Sequence, residues 1–186
     1  MNKSFYCLIL LAFFIVRCKK EQDPFLISKQ NIGLLTDSTQ VKDLELVFPN
    51  DSIVNFTSDN KFSSNNNEIE IFEKGGKKLL ILEPSQPSDS TAVIKSIQIT
   101  DSRYKTSKGI TTLSTFKDID DNYKISRITN LINSVVVFVD EINASFTIDK
   151  KELPGELRFD MNLTIEKIQI PGKAKIKYFF VYWDWM

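Results

Sequence analysis

The sequence predicts an α+β fold: two tandem repeats of a short helix packed on an antiparallel sheet. Three observations carry that expectation. Short β-branched or alternating runs such as Glu68–Phe72, Ile94–Ile99 and Ser134–Val139 read as strands. Two other segments place apolar residues at helical spacing behind N-cap residue types. These features then recur in the same order. Gly33 and Gly109 each lead to a Ser-Thr pair, an apolar residue or its neighbour, Lys-Asp and an aliphatic, and Ile94-Lys95-Ser96-Ile97-Gln98-Ile99 is echoed by Ile165-Glu166-Lys167-Ile168-Gln169-Ile170. Two echoes in register indicate an internal repeat. The resulting division is a leader at 1–17, a tether at 18–24, a first repeat at 25–106 and a second at 107–186.

Element by element, Phe25-Leu26-Ile27 opens the fold as a short strand. Ser38 and Thr39 precede Val41, Leu44 and Val47, which predicts a helix that Pro49 ends. Residues 57–67 are polar and Asn/Ser-rich, a loop. Glu68–Phe72 and Leu79–Leu82 form a hairpin about Gly75-Gly76. Ser85–Ser90 is a loop, and Ile94–Ile99 a third strand. In the second repeat Phe116, Ile119 and Tyr123 form a helical apolar face. Ser134–Val139 and Asn143–Ile148 pair across Asp140-Glu141-Ile142, and Lys150–Gly155 is a loop. Ile165–Ile170 and Lys175–Trp185 complete the strands.

The N-terminus carries an address. Lys3 gives a positive start, Phe5–Val16 is apolar, and the chain turns polar after Cys18. The apolar run is shorter than the roughly 20 residues of a membrane-spanning helix. It fits the apolar core of a signal peptide. Phe14-Ile15-Val16-Arg17-Cys18 resembles the end of a bacterial lipoprotein signal, with Arg17 where that pattern has a small residue. The resemblance implies cleavage before Cys18, acylation (palmitate among the chains) at Cys18 and a membrane attachment through the lipid. The polar run after Cys18 is similar to the surface-export tethers of Bacteroidota lipoproteins.

Composition narrows the functional classes. The formal net charge is +0, and shedding Lys3 and Arg17 with the leader leaves a slight acidic excess. Such a surface has no electrostatic footprint for nucleic acid. The chain has no histidine, the commonest general base and neutral metal ligand. Its 2 cysteines are Cys7, inside the leader, and Cys18, so no intramolecular disulfide is open to the processed chain. The expectation is a protein that is not an enzyme, with no catalytic residues, metal or cofactor.

Candidate motifs resolve against chemistry. Asp118-Ile119-Asp120-Asp121-Asn122 starts like a calcium loop but lacks its central Gly and terminal Glu, and reads as a solvated helix face. Glu68 and Glu70 share a strand face as solubilising charges. Gly75-Gly76 leads into a strand, unlike a phosphate loop. Asp89-Ser90-Thr91 resembles the O-glycosylation triplet of Bacteroidota, with Ser90 the favoured position. The most aromatic stretch is Tyr178-Phe179-Phe180-Val181-Tyr182-Trp183-Asp184-Trp185. Alternation puts Phe179, Val181 and Trp183 on one face and Tyr178, Phe180 and Tyr182 on the other. A strand apolar on both faces is either covered twice or meets a partner, and Tyr182, Trp183 and Trp185 are the candidate binding patch.

The repeated unit, on Gly33 with Ser38-Thr39-Gln40-Val41 and Gly109 with Ser114-Thr115-Phe116, resembles the SmpA/OmlA-like outer-membrane lipoproteins and the tandem β-lactamase-inhibitor-protein-like modules. It is most similar to the uncharacterised Bacteroidota-type outer-membrane lipoproteins. The resemblance implies a lipid-anchored module at the outer membrane that binds or scaffolds an envelope protein partner. The second function expected is surface glycan or small-ligand binding through the C-terminal aromatics.

Overall fold

The computed structural model describes residues 22–55 and 67–184. The leader, Cys18 and Trp185 lie outside the described residues, as does most of the predicted loop at 57–67.

The chain opens with β1 (Leu26–Ile27), β2 (Asn31–Ile32) and β3 (Leu35–Thr36), then a 3-10 turn (Val41–Asp43) running into α1 (Leu44–Val47). Next come β4 (Ser52–Asn55), β5 (Ile69–Phe72), β6 (Lys78–Pro84), β7 (Ile94–Ile99) and β8 (Lys105–Thr106). The second half holds α2 (Phe116–Asn122), β9 (Arg127–Asn130), β10 (Ser134–Val139), β11 (Ala144–Asp149) and β12 (Ile176–Tyr182). Eight strands form one sheet in the order β4-β5-β6-β7-β12-β11-β10-β9, antiparallel throughout. Strands from the two halves meet where β7 pairs with β12. A small sheet, β3-β2-β1-β8, stands apart.

This architecture corrects the predicted fold class. The molecule is mostly β, and two tandem helix-on-sheet repeats are not what the chain builds. The first predicted helix is a single turn, Leu44–Val47, because Phe48-Pro49 follows at once. Thr39 does not cap it; its Oγ1 accepts from the Thr36 N–H at 3.0 Å instead, closing a turn. Among the described residues only α2 is an α-helix of more than one turn, started by a reciprocal capping box between Thr115 and Asp118.

The second echo also fails. Ile165–Ile170 is not a strand but encloses a 3-10 turn, Lys167–Gln169. In a strand Ile168 and Ile170 would share a face. Here Ile170 is buried while Ile168 is 86% exposed. The side chain of Gln169 accepts from the Glu166 N–H at 2.9 Å, so a local cap replaces the ladder.

The core lies on one face of the large sheet. Ile71, Leu80, Ile99, Phe179, Phe146 and Val137 run across it as successive strand partners. All are buried, and α1, α2, the small sheet and the connection between β11 and β12 cover them through Leu44, Phe116, Ile119, Ile27 and Leu157. Gly33 helps close the small sheet. It sits at φ +57°, and a Cβ there would meet the Pro24 carbonyl oxygen at 2.1 Å.

Candidate functional site: the open face of the sheet

The period of two along each strand sends alternate residues to the opposite face of the large sheet. One row crosses it as Val54, Glu70, Ile81, Gln98, Phe180, Ser145, Phe138 and Arg127. A second places Tyr178, Thr147, Val136 and Thr129 side by side. None of these apolar residues belongs to the hydrophobic core, which draws only on the other face. Ile81, Phe180, Phe138 and Val136 are half-buried, while Val54 and Tyr178 are exposed.

The aromatics are concentrated over β10 to β12. Phe180 and Tyr182 stack with ring centroids 6.1 Å apart and planes at 20°, and Tyr178 meets Phe180 edge-on at 6.4 Å. These residues are two apart on β12, so the stack follows directly from strand spacing. Small hydroxyl residues lie beneath and between the rings. Ser145 is buried, and its hydroxyl is 3.0 Å from that of Tyr182. Cations border the patch: the Arg127 guanidinium lies 4.1 Å from the Phe138 ring centroid and the Lys177 ammonium 5.4 Å from that of Tyr178.

Across β7 the face becomes polar. Glu83 accepts from Ser96 at 2.9 Å and pairs with Lys95 at 2.8 Å. Glu70 pairs with Lys78, whose ammonium also approaches Phe72 at 5.3 Å. The sheet face therefore has an aromatic half and a charge-paired half.

The predicted patch residues are distributed, not gathered. Tyr182 is on the open face. Trp183 packs partly buried against the core, its backbone N–H donating to Lys95 O at 2.8 Å and its indole Nε1 buried without a partner among the described residues. Trp185 is outside the described residues. Residues that the sequence reading left aside, Phe138 and Val136 on β10, join the face because β10 and β12 both flank β11. Ser134–Val139 is apolar at nearly every position, a signal that could have marked a strand with apolar surroundings on both sides.

The acids singled out from the sequence are engaged locally. Asp118 accepts from the Thr115 N–H at 2.7 Å, and these Thr115 bonds hold its carboxyl below the usual range. Asp120 pairs with Lys167 and Asp121 with Lys117, each at 2.9 Å. Ser90 is exposed in the turn after Asp89. No helix among the described residues is long and apolar enough to cross a membrane.

No family model and no curated protein matches the sequence. Among solved structures, the fold is similar to that of the uncharacterized protein yfeY from Escherichia coli. The TM-score is 0.54 at 17% identity, over 84% of this chain and 98% of that one, a likeness of fold alone.

Proposed function

We propose that this protein is a non-enzymatic, lipid-anchored binding module of the cell envelope that docks a partner protein on the open face of its large sheet. The observation that supports this is the aromatic patch of Tyr178 and Phe180, flanked by Phe138 and Tyr182, none of which belongs to the hydrophobic core. Aromatic residues over small hydroxyls, rimmed by Arg127 and Lys177, match the anchor-and-rim composition of protein interfaces. Tyrosine with serine is also the pairing that binding loops use for contact area at low entropy cost. A glycan or small ligand on the same aromatics has less support, since the rings lean on one another and on cations and present few free ring faces.

Phe180→Ser should weaken capture of the partner by about 2 kcal/mol, near 30-fold, while leaving the fold intact. A photo-crosslinking residue at Tyr178 in the native envelope should give one discrete protein adduct that Phe180→Ser removes. The control position is Leu46, which is 80% exposed on α1. Equal adducts from positions 178 and 46 would exclude docking on this face.

The anchor is tested separately. Cys18→Ser should abolish labelling by a palmitate analogue and release the protein from membranes. Labelling that persists in this variant would remove the lipid anchor from the proposal and leave the docking face untouched.

A further inference from the structure

At the end of β11 the chain leaves the sheet in a 3-10 turn, Lys150–Glu152. The turn is firmly placed. Lys150 N–H donates to Asn133 O at 3.0 Å, and the Asp149 side chain caps it by accepting from the Lys151 N–H at 3.0 Å. This geometry turns the Lys150 side chain inward. The residue is 4% exposed, and its ammonium is buried with no hydrogen-bond partner among the described residues. A buried ammonium without a partner carries a heavy desolvation penalty. Such an arrangement calls for an anion.

Lys150 lines a cleft of about 660 Å³ together with Lys151, Arg158, Lys177 and Asp149. Four side chains are cationic, and the lone acid is already engaged: Asp149 receives Lys151 N–H on one oxygen and Lys177 Nζ at 3.1 Å on the other. Those two contacts hold its carboxyl below the usual range, so Asp149 stays ionised and committed to Lys177. Arg158 donates to Leu153 O at 2.8 Å and Lys151 O at 3.1 Å, which fixes its guanidinium beside the turn. The cleft thus keeps an uncompensated positive charge. Beside Asn133, its remaining wall is apolar and open: Phe159 is 89% exposed, and Ile132 and Met161 are exposed with it.

We propose that this cleft binds a phosphate-type anion, with the Lys150 ammonium as its buried partner and Lys151 and Arg158 at its mouth. Phosphate is the anion that suits a converging set of ammonium and guanidinium donors. The apolar wall fits an acyl chain beside the anion, so an anionic lipid headgroup and a free phosphate are the two sources of the same chemistry. The cleft shares Lys177 with the rim of the docking face, but its anion-facing residues Lys150, Lys151 and Arg158 lie outside the aromatic patch.

The test uses the full chain, labelled with 15N-lysine, in neutral detergent micelles. It is titrated with inorganic phosphate, with short-chain phosphatidylglycerol and with short-chain diacylglycerol. The Lys150 side-chain signal should shift and saturate with phosphatidylglycerol or phosphate, and not with diacylglycerol. Phosphatidylglycerol binding at least tenfold tighter than phosphate, with that advantage lost in Phe159→Ser, identifies a lipid headgroup. Equal affinity for the two identifies free phosphate. Lys150→Met keeps the apolar stem and removes the charge, and should weaken binding at least tenfold while unliganded thermal stability stays level or rises. Binding unchanged in Lys150→Met, saturation by diacylglycerol alone, or no saturable shift with either anion would overturn the proposal.

Discussion

Phe146→Ala should destabilise the protein by about 3–5 kcal/mol, the range for removing a fully buried phenyl ring from a packed core. Phe146 has no exposed surface and lies opposite Phe179 on the neighbouring strand, with ring centroids 4.6 Å apart. The pair sits near the centre of the eight-stranded sheet, where β11 meets β12 and β12 meets β7. Its other strand partners are Val137 and Ile99. These are held in a hydrogen-bonded ladder, so the backbone cannot collapse into the space a lost ring leaves. Unfolding in urea, followed by circular dichroism, measures the effect as a lower midpoint at an unchanged slope. Phe180→Ala, one residue after Phe179 on β12 and therefore on the opposite face, should cost about 1 kcal/mol or less. Equal losses at 146 and 180 would mean that both faces are packed alike, and would count against an open docking face as well.

The contrast between the two faces shows what could be read from the sequence. Strand positions were legible where period-two alternation was strong or turn chemistry was explicit. The hairpin about Gly75-Gly76 formed as expected, with both glycines at positive φ. The helix at Phe116 was marked by the helical spacing of Phe116, Ile119 and Tyr123, and the structure adds the Thr115–Asp118 box that starts it. The edge strands β4 and β9 were not visible as strands. Ser52–Asn55 and Arg127–Asn130 are short and half polar, and they exist because β5 and β10 offer unpaired edges. Without them the halves looked like small sheets awaiting helices; with them the sheet is broad enough to build the core mainly from its own face.

The candidate site was legible in part for the same reason. Apolar residues on both faces of Tyr178–Tyr182 signalled a second surface, but alternation within one strand could not show which neighbours complete it. That depends on register. Phe138 and Phe180 share a row only because Ser145 lies between them, opposite both. The cleft at Lys150 gave still less warning. A lysine in a Lys-Lys-Glu turn reads as solvated, and its burial follows from the bond between its N–H and Asn133 O.

A different kind of interaction governs the second large effect. Asp101→Asn should cost about 2–3 kcal/mol at neutral pH, the scale of losing charge-assisted hydrogen bonds. The Asp101 side chain is fully buried between two turns. It accepts from Arg103 N–H at 2.9 Å, Arg103 Nε at 3.0 Å and Arg103 Nη2 at 2.6 Å, and pairs with Lys77 at 3.0 Å. Arg103 also reaches Glu73 at 2.7 Å and stacks on Phe25 with its guanidinium carbon 4.7 Å from the ring centroid. One carboxylate therefore ties the β5–β6 hairpin to the chain between β7 and β8, and through Phe25 to the small sheet. Burial alone would raise its pKa, but the Arg103 side chain and N–H, with Lys77, overcome that and hold it at about 2, against an ordinary 3.8. The depressed value fixes the sign. In the unfolded chain Asp101 takes up a proton near its ordinary pKa while the folded protein still resists, so its contribution is whole above that value and fades as pH falls through about 2. Urea midpoints of the wild type and Asp101→Asn, compared between pH 6 and pH 2, should therefore converge at the acid end. Subtracting the variant removes the titration of carboxylates that do not share this network. A constant gap across that range would show that Asp101 acts by shape alone and that its charge is not what holds the turns together.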